Sequence, residues 1–188
     1  VTGEANMMLD YDLAASTVAE FAGTHDIVVV SFHGGAEGVD ARNLPFAEEE
    51  YYGEPRGDVV LFARRMVEAG ADLVLGHGPH VVRAAERYKE RLIAYSLGNF
   101  ATYYGISVAG IKGIAPILIA TLDGEGRFVE GEIVSTIQLR PDGPSIQDPM
   151  MLATLIISVI AFTVVYVSLM FKRVELIHLD YERRAFEA

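Results

Sequence analysis

Three histidines stand directly behind apolar runs in this sequence, which is the placement a metal or acid–base site needs. His33 follows the run Ile27–Phe32, His77 follows Leu73–Gly76, and His80 comes three residues later. Neutral imidazole is a common metal ligand and titrates near neutral pH. Gly78 and Pro79 lie between His77 and His80. Glycine lets backbone approach a ligand closely and proline removes freedom, so the two imidazoles are held in place. A second loop, Ser96-Leu97-Gly98-Asn99, follows the apolar run Leu92–Tyr95. Ligand sites in open α/β sheets collect where strand ends pass into loops. His33, His77 and His80 are therefore candidate ligands for a divalent metal ion, with Ser96 and Asn99 as candidate cofactor-binding residues on the pocket wall. Glu37 adds an oxygen donor or a general base, so Glu37 and His80 are the catalytic candidates. Each residue also has an ordinary structural role open to it. His80 suits a turn bonded to backbone, Asn99 a partner for loop carbonyls, and Glu37 a solvated loop charge. His25 and His178 lack such a setting and are expected to be exposed.

The elements that must position these residues follow from the hydrophobic pattern. Residues 10–24 read as an amphipathic helix, with Leu13, Val18 and Phe21 at helical spacing and Gly23 as a stop. The run 27–32 is β-branched and apolar, as in a strand covered on both faces. Residues 39–57 read as a long loop over the site. A helix runs from Asp58, an N-cap, to about Ala69, with Val59, Phe62, Ala63 and Met66 on one face. Strands at 73–75 and 92–95 follow. Residues 115–122 and 128–137 form a hairpin around Asp123-Gly124-Glu125-Gly126. The sum is an α/β fold, a layered mixed sheet with flanking helices.

Composition narrows the chemistry. The net charge is −11 and no long basic run exists, so a nucleic-acid surface is disfavoured. The absence of cysteine removes disulfides, zinc–thiolate sites and cysteine nucleophiles together. Ser31 and Ser96 lack the nucleophile-elbow pattern. The segment Gly35-Ala36-Glu37-Gly38 has no P-loop lysine.

Three ordered stretches, VVVSFHGGAEG at 28–38, GADLVLGHGPHV at 70–81 and LIAYSLGNF at 92–100, resemble the CapA-type bacterial capsule synthesis proteins. Those proteins are associated with poly-gamma-glutamate capsule production and resemble calcineurin-like metallophosphatases in fold. The resemblance covers about residues 10–140 and implies a metal centre at strand ends. By motif match, His33 is similar to the histidine after the family's first matching strand, Glu37 to its acidic residue, and His80 to the second histidine of an H-P-H signature. Here that signature reads Gly78-Pro79-His80, with His77 one place earlier. The family's early Gly-Asp and Asn-Leu-Glu metal motifs have no counterpart in this sequence. The expectation is that residues 1–140 are the second half of such a domain, able to act as a metal-dependent phosphoesterase-like hydrolase only with the first half supplied. The alternative is a non-catalytic, membrane-tethered component of a polymer synthesis or export assembly. The partners implied are the membrane and the capsule polymer or its synthesis machinery.

Residues 141–149 read as a linker, and Met150 to Phe171 then carries no charge. At about 1.5 Å per residue that run extends roughly 33 Å, enough to cross a hydrocarbon core of about 30 Å. Lys172 and Arg173 follow at once. The positive-inside rule therefore puts a tail at 172–188 in the cytoplasm and the domain on the extracellular side. The competing reading is a buried helix of a soluble protein. If 150–171 spans, the chain stays with membranes through alkaline carbonate extraction, and truncation at Asp148 releases it. Val159→Arg then opposes insertion by about 2.5–3.5 kcal/mol. Recovery of the intact chain in the soluble fraction would favour the buried helix.

Overall fold

The computed structural model describes residues 8–102 and 104–146. The expected span at 150–171 and the tail at 172–188 lie outside the described residues. Among the described residues no helix is long and apolar enough to cross a membrane.

Helix α1 (Tyr11–Ala22) begins where the Asp10 side chain accepts from Leu13 N at 3.0 Å. Its buried residues are Ala14 and Val18, one turn apart. Leu13 and Phe21, expected on its apolar face, are each 48% exposed. Leu13 falls off the stripe that Ala14 and Val18 share, whereas Phe21 lies on that stripe in the last turn of the helix. Strand β1 (Val29–His33) follows, then a 3₁₀ turn at Val39–Arg42. The stretch expected to be a structureless loop contains a hairpin of β2 (Glu49–Tyr51) and β3 (Glu54–Gly57). Helix α2 (Val59–Glu68) is capped by Asp58, whose carboxylate accepts from Val60 N and Leu61 N. Val59, Phe62, Ala63 and Met66 are all buried, as the spacing predicts.

The main sheet contains β1, β4 (Leu73–His77), β6 (Arg91–Ala94) and β5 (Ala85–Tyr88), in that spatial order. β1 with β4 and β4 with β6 are parallel, whereas β5 returns antiparallel to β6, so the sheet is mixed. Parallel neighbours need a crossover, and the segment containing α2 supplies it between β1 and β4. Val28, Phe32, Val74, Ile93 and Tyr95 form one core with Phe62, Ala63 and Met66. The Phe32 and Phe62 ring centroids stand 5.2 Å apart. Among the described residues β1 lies at the edge of the sheet, and Val29 on its other face is 52% exposed. The expectation that both its faces are covered is corrected: the uniform Val-Val-Val run does not distinguish a central strand from an edge one.

Two antiparallel hairpins follow, β7 (Ile117–Leu122) with β8 (Phe128–Val134), and β9 (Thr136–Leu139) with β10 (Gly143–Ile146). β10 lies inside the stretch read as a linker. The first hairpin joins the main sheet at one end, where Phe128 N donates to Glu90 O at 2.7 Å.

Gly76 occupies the tightest point of the sheet. A Cβ there would stand 2.4 Å from Tyr95 O and 2.6 Å from Phe32 Cζ. Gly124 has nothing within 4 Å of the same atom. Gly76→Ala is therefore expected to cost roughly 1–3 kcal/mol by overpacking, and Gly124→Ala almost nothing. Urea denaturation of the two variants checks this, and equal midpoints would refute it.

Candidate functional site

The parallel register of β1 and β4 pairs His33 with His77 directly. Register partners in a sheet share a face and lie about 5 Å apart, so the two imidazoles leave the strand ends side by side. Gly34 N donates to His77 O at 2.9 Å, which continues the ladder one step into the loop. Gly78 then turns back with φ 121°, and a Cβ on it would lie 2.7 Å from Gly34 O. Only glycine lets the two loops cross this closely.

His80 is held by Asn99. Its φ of 59° is the left-handed conformation that a non-glycine residue adopts at a cost. The Asn99 amide donates to His80 O at 3.2 Å and to Lys112 O at 3.1 Å. Both bonds are made by its nitrogen, so its oxygen faces His80 Nδ1 at 2.8 Å. An amide oxygen only accepts, so Nδ1 carries the proton and neutral His80 presents an unprotonated Nε2. Asn99 is 4% exposed, and Gln138 Nε2 donates to its backbone oxygen at 3.1 Å.

Glu37 faces this imidazole, with Oε2 at 3.6 Å from His80 Nε2. That is too long for a hydrogen bond. Its other oxygen accepts from Arg56 Nη2 at 3.0 Å. Arg56 Nε also donates to Gly35 O at 3.1 Å, so one guanidinium fixes both the loop and its carboxylate. His33 is held below the ordinary histidine value by partial desolvation first, then by the Arg56 cation and the neighbouring imidazoles. It is therefore neutral at pH 7.

Ser96 is 2% exposed, and its hydroxyl accepts from Gly98 N at 3.2 Å. The structure thus places it in a turn at the base of the loop rather than on a pocket wall. His25 is exposed and bonded within the end of α1, where its Nδ1 lies 2.9 Å from Thr24 Oγ1.

The donor chemistry of the His80–Glu37 pair fits a divalent ion. An outer amide orients the imidazole, as is usual for metal-bound histidines. Two ligands at about 2.0–2.2 Å from one ion span a separation such as 3.6 Å. His33 and His77 stand abreast but do not close the set. Among the described residues no three His, Asp or Glu side chains converge tightly enough to enclose an ion.

Arg56 and Arg83 were not among the candidates read from sequence. Arg56 lies in the stretch read as loop, and no local pattern marks it. Arg83 was visible as a lone charge within the run Val81–Ala85, and such a charge, once buried, needs partners.

Residues 3–104, more than half of the chain, match the family described as bacterial capsule synthesis protein PGA_cap. The chain belongs to that family. His33, Glu37, His77, His80, Ser96 and Asn99 all lie inside the match. The capsule biosynthesis protein CapA of Bacillus anthracis is 41% identical over 78 residues, which are 42% of this chain and 16% of that protein. The PGA biosynthesis protein CapA of Bacillus subtilis is 36% identical over 91 residues, covering 48% of this chain and 20% of the relative. A probable polyglutamine synthesis accessory protein of Mycobacterium tuberculosis is 34% identical over 93 residues, 50% of this chain and 21% of its own length. The matched stretch thus spans about a fifth of each of these PGA_cap relatives.

The electrostatics at His33 are open to test. Its midpoint is expected below the ordinary 6.5, with the Arg56 cation as the second cause after desolvation. Arg56→Gln removes that cation and leaves Glu37, which favours the imidazolium, so the His33 midpoint should rise. Because the depressed folded value means that the unfolded chain binds the proton more readily, His33 favours folding above pH 6.5 and that contribution is lost as pH falls. NMR titration of His33 in both proteins reads the shift, and an unchanged midpoint would exclude Arg56 as a cause.

Proposed function

We propose that this chain contributes the histidine-bearing half of a metal-dependent hydrolase-type site to the synthesis of capsular poly-gamma-glutamate. The observation that supports it most is the His80 imidazole: its Nδ1 donates to the Asn99 side-chain oxygen at 2.8 Å, and Nε2 faces a Glu37 oxygen across 3.6 Å. Family membership supports the process, and the names of the two Bacillus relatives support the polymer.

Within this reading, His80 and Glu37 would hold a divalent ion, and His33 and His77 stand at the strand ends beside them. A divalent ion bound there supplies Lewis-acid chemistry. Asn99 accepts from His80 Nδ1 and so turns Nε2 toward Glu37. Arg56 holds the Glu37 carboxylate beside the imidazole through a bond at 3.0 Å. A two-metal centre would need a further carboxylate, which this reading assigns to the half of the site that the chain does not supply. The uncharged run at 150–171 supports a tether that keeps the domain at the outer face of the membrane.

A second reading is a non-catalytic component of a polymer synthesis or export assembly. The ion pair of Glu37 with Arg56 favours it, because a carboxylate already engaged at 3.0 Å binds a cation less readily.

Titration of the purified domain with Co²⁺ or Mn²⁺ separates the two. The half-site reading expects at most one weakly held ion per chain, lost in His80→Ala, with little or no phosphoesterase activity. Fusing the first half of a longer relative should raise the metal content. No binding in the parent or in the fusion would favour the non-catalytic reading. Two tightly held ions, with hydrolysis abolished by His80→Ala, would show that the site is already whole.

A further inference from the structure

A buried ion pair lies beneath the loop that carries Glu37. Arg83 and Glu49 meet in a bidentate fork, Nη1 to Oε1 at 2.8 Å and Nη2 to Oε2 at 2.6 Å. Their side chains are 0% and 5% exposed. The same two groups also grip the backbone of the loop. Arg83 Nε donates to Ala41 O at 2.6 Å, Arg83 Nη2 to Ala36 O at 3.4 Å, and Ala36 N donates to Glu49 Oε2 at 3.0 Å. Gly35 rests on the pair so closely that a Cβ would stand 2.7 Å from Arg83 Nη1.

Stability alone does not account for this arrangement. Well-packed apolar residues of similar volume often serve a buried position as well as an ion pair does, or better. What the planar fork adds is direction, since it fixes several acceptors in one plane at once. Those acceptors bracket Glu37, which follows Ala36 immediately. Arg83 itself lies three residues after His80, and its backbone N donates to Ser96 O at 2.9 Å. One end of the device thus holds the Glu37 loop, and the other belongs to the segment that carries His80.

We infer that Arg83 and Glu49 are positioning residues, which set the Glu37 carboxylate against His80 Nε2 by clamping the backbone on either side of it. The clamp rests on the half-site reading for its chemistry, but its geometry can be measured without any metal.

The test compares the full chain with two variants, the apolar pair Arg83→Met/Glu49→Leu and the single Arg83→Lys. Arg83→Lys keeps the charge and loses the fork, so a role in charge balance alone is satisfied by it and a positioning role is not. Two quantities are read: the NMR cross-relaxation between the Glu37 side-chain protons and the His80 ring, and the affinity for Co²⁺. Both variants are expected to keep native amide dispersion, to weaken that cross-peak at least fivefold, and to bind Co²⁺ at least tenfold less tightly. If the apolar pair does not fold, Arg83→Lys decides the matter. A folded variant with an undiminished cross-peak overturns the inference. If the parent binds no Co²⁺ while the cross-peak still depends on the fork, the clamp stands and the half-site reading falls.

Discussion

The parallel hydrogen-bonded register of β1 and β4 is the constraint on which the rest of the molecule depends. It puts His33 opposite His77 and so decides that two imidazoles leave the sheet at the same level. Parallel pairing also sends the connections after β1, β4 and β6 out at one end, which brings the loops with Glu37, His80 and Asn99 together. The close passage of the first two loops then fixes their chemistry. Gly34 N reaches His77 O, and Gly38 N reaches Pro79 O, each at 2.9 Å. A register slip of one residue would turn His33 to the opposite face of the sheet.

Above that frame, the site is organised by what Asn99 does with its four polar positions. Its nitrogen serves two backbone carbonyls, its side-chain oxygen serves an imidazole, and its backbone oxygen takes Gln138. A buried amide with this many bonds has one orientation, and it hands that orientation to His80. The chain beyond the sheet takes part as well. Lys112 precedes β7 and Gln138 lies in β9. Elements after the histidine loops therefore brace the site through Asn99.

Much of this was legible in the sequence, for reasons that are local. α2 follows from an aspartate cap and an apolar stripe at helical spacing, and both are short-range signals. The three histidine and asparagine loops follow from apolar runs that end in glycine-rich segments. β5 was missed because Ala85–Tyr88 mixes charges and small residues, and it is a strand only because β6 offers it an antiparallel partner. The β2–β3 hairpin was missed for a similar reason: Glu49, Arg56 and Gly57 are placed by the ion pairs and by a bulge, not by alternation. Ser96 and Asn99 looked alike in sequence, since both are polar residues in one strand-end loop. Which of them turns toward an imidazole depends on where Lys112 and Gln138 arrive, and those residues lie 13 and 39 positions beyond Asn99.

Several features that cost stability or constrain the backbone fall in one small region. His80 sits in a left-handed conformation, and Gly35, Gly38 and Gly78 have positive φ. The Arg83–Glu49 pair is buried, and Glu37 is held near an imidazole without a hydrogen bond between them. A chain selected only to fold would relieve several of these cheaply, with glycine at position 80 or apolar residues at 49 and 83. Backbone strain and buried polar groups persist where the surrounding structure over-determines them, and they cluster at functional sites. A second buried network joins Tyr95, just after β6, to Glu86 in β5 and Arg64 in α2. Tyr95 donates to Glu86 at 2.6 Å, and burial followed by that carboxylate pushes its hydroxyl far above the ordinary tyrosine value, so it acts as a fixed donor. Positive φ at non-glycine residues also occurs away from the histidines, at Lys89 and Glu90 between β5 and β6, so what sets the histidine loops apart is that strain combined with a fully buried ion pair and a braced imidazole.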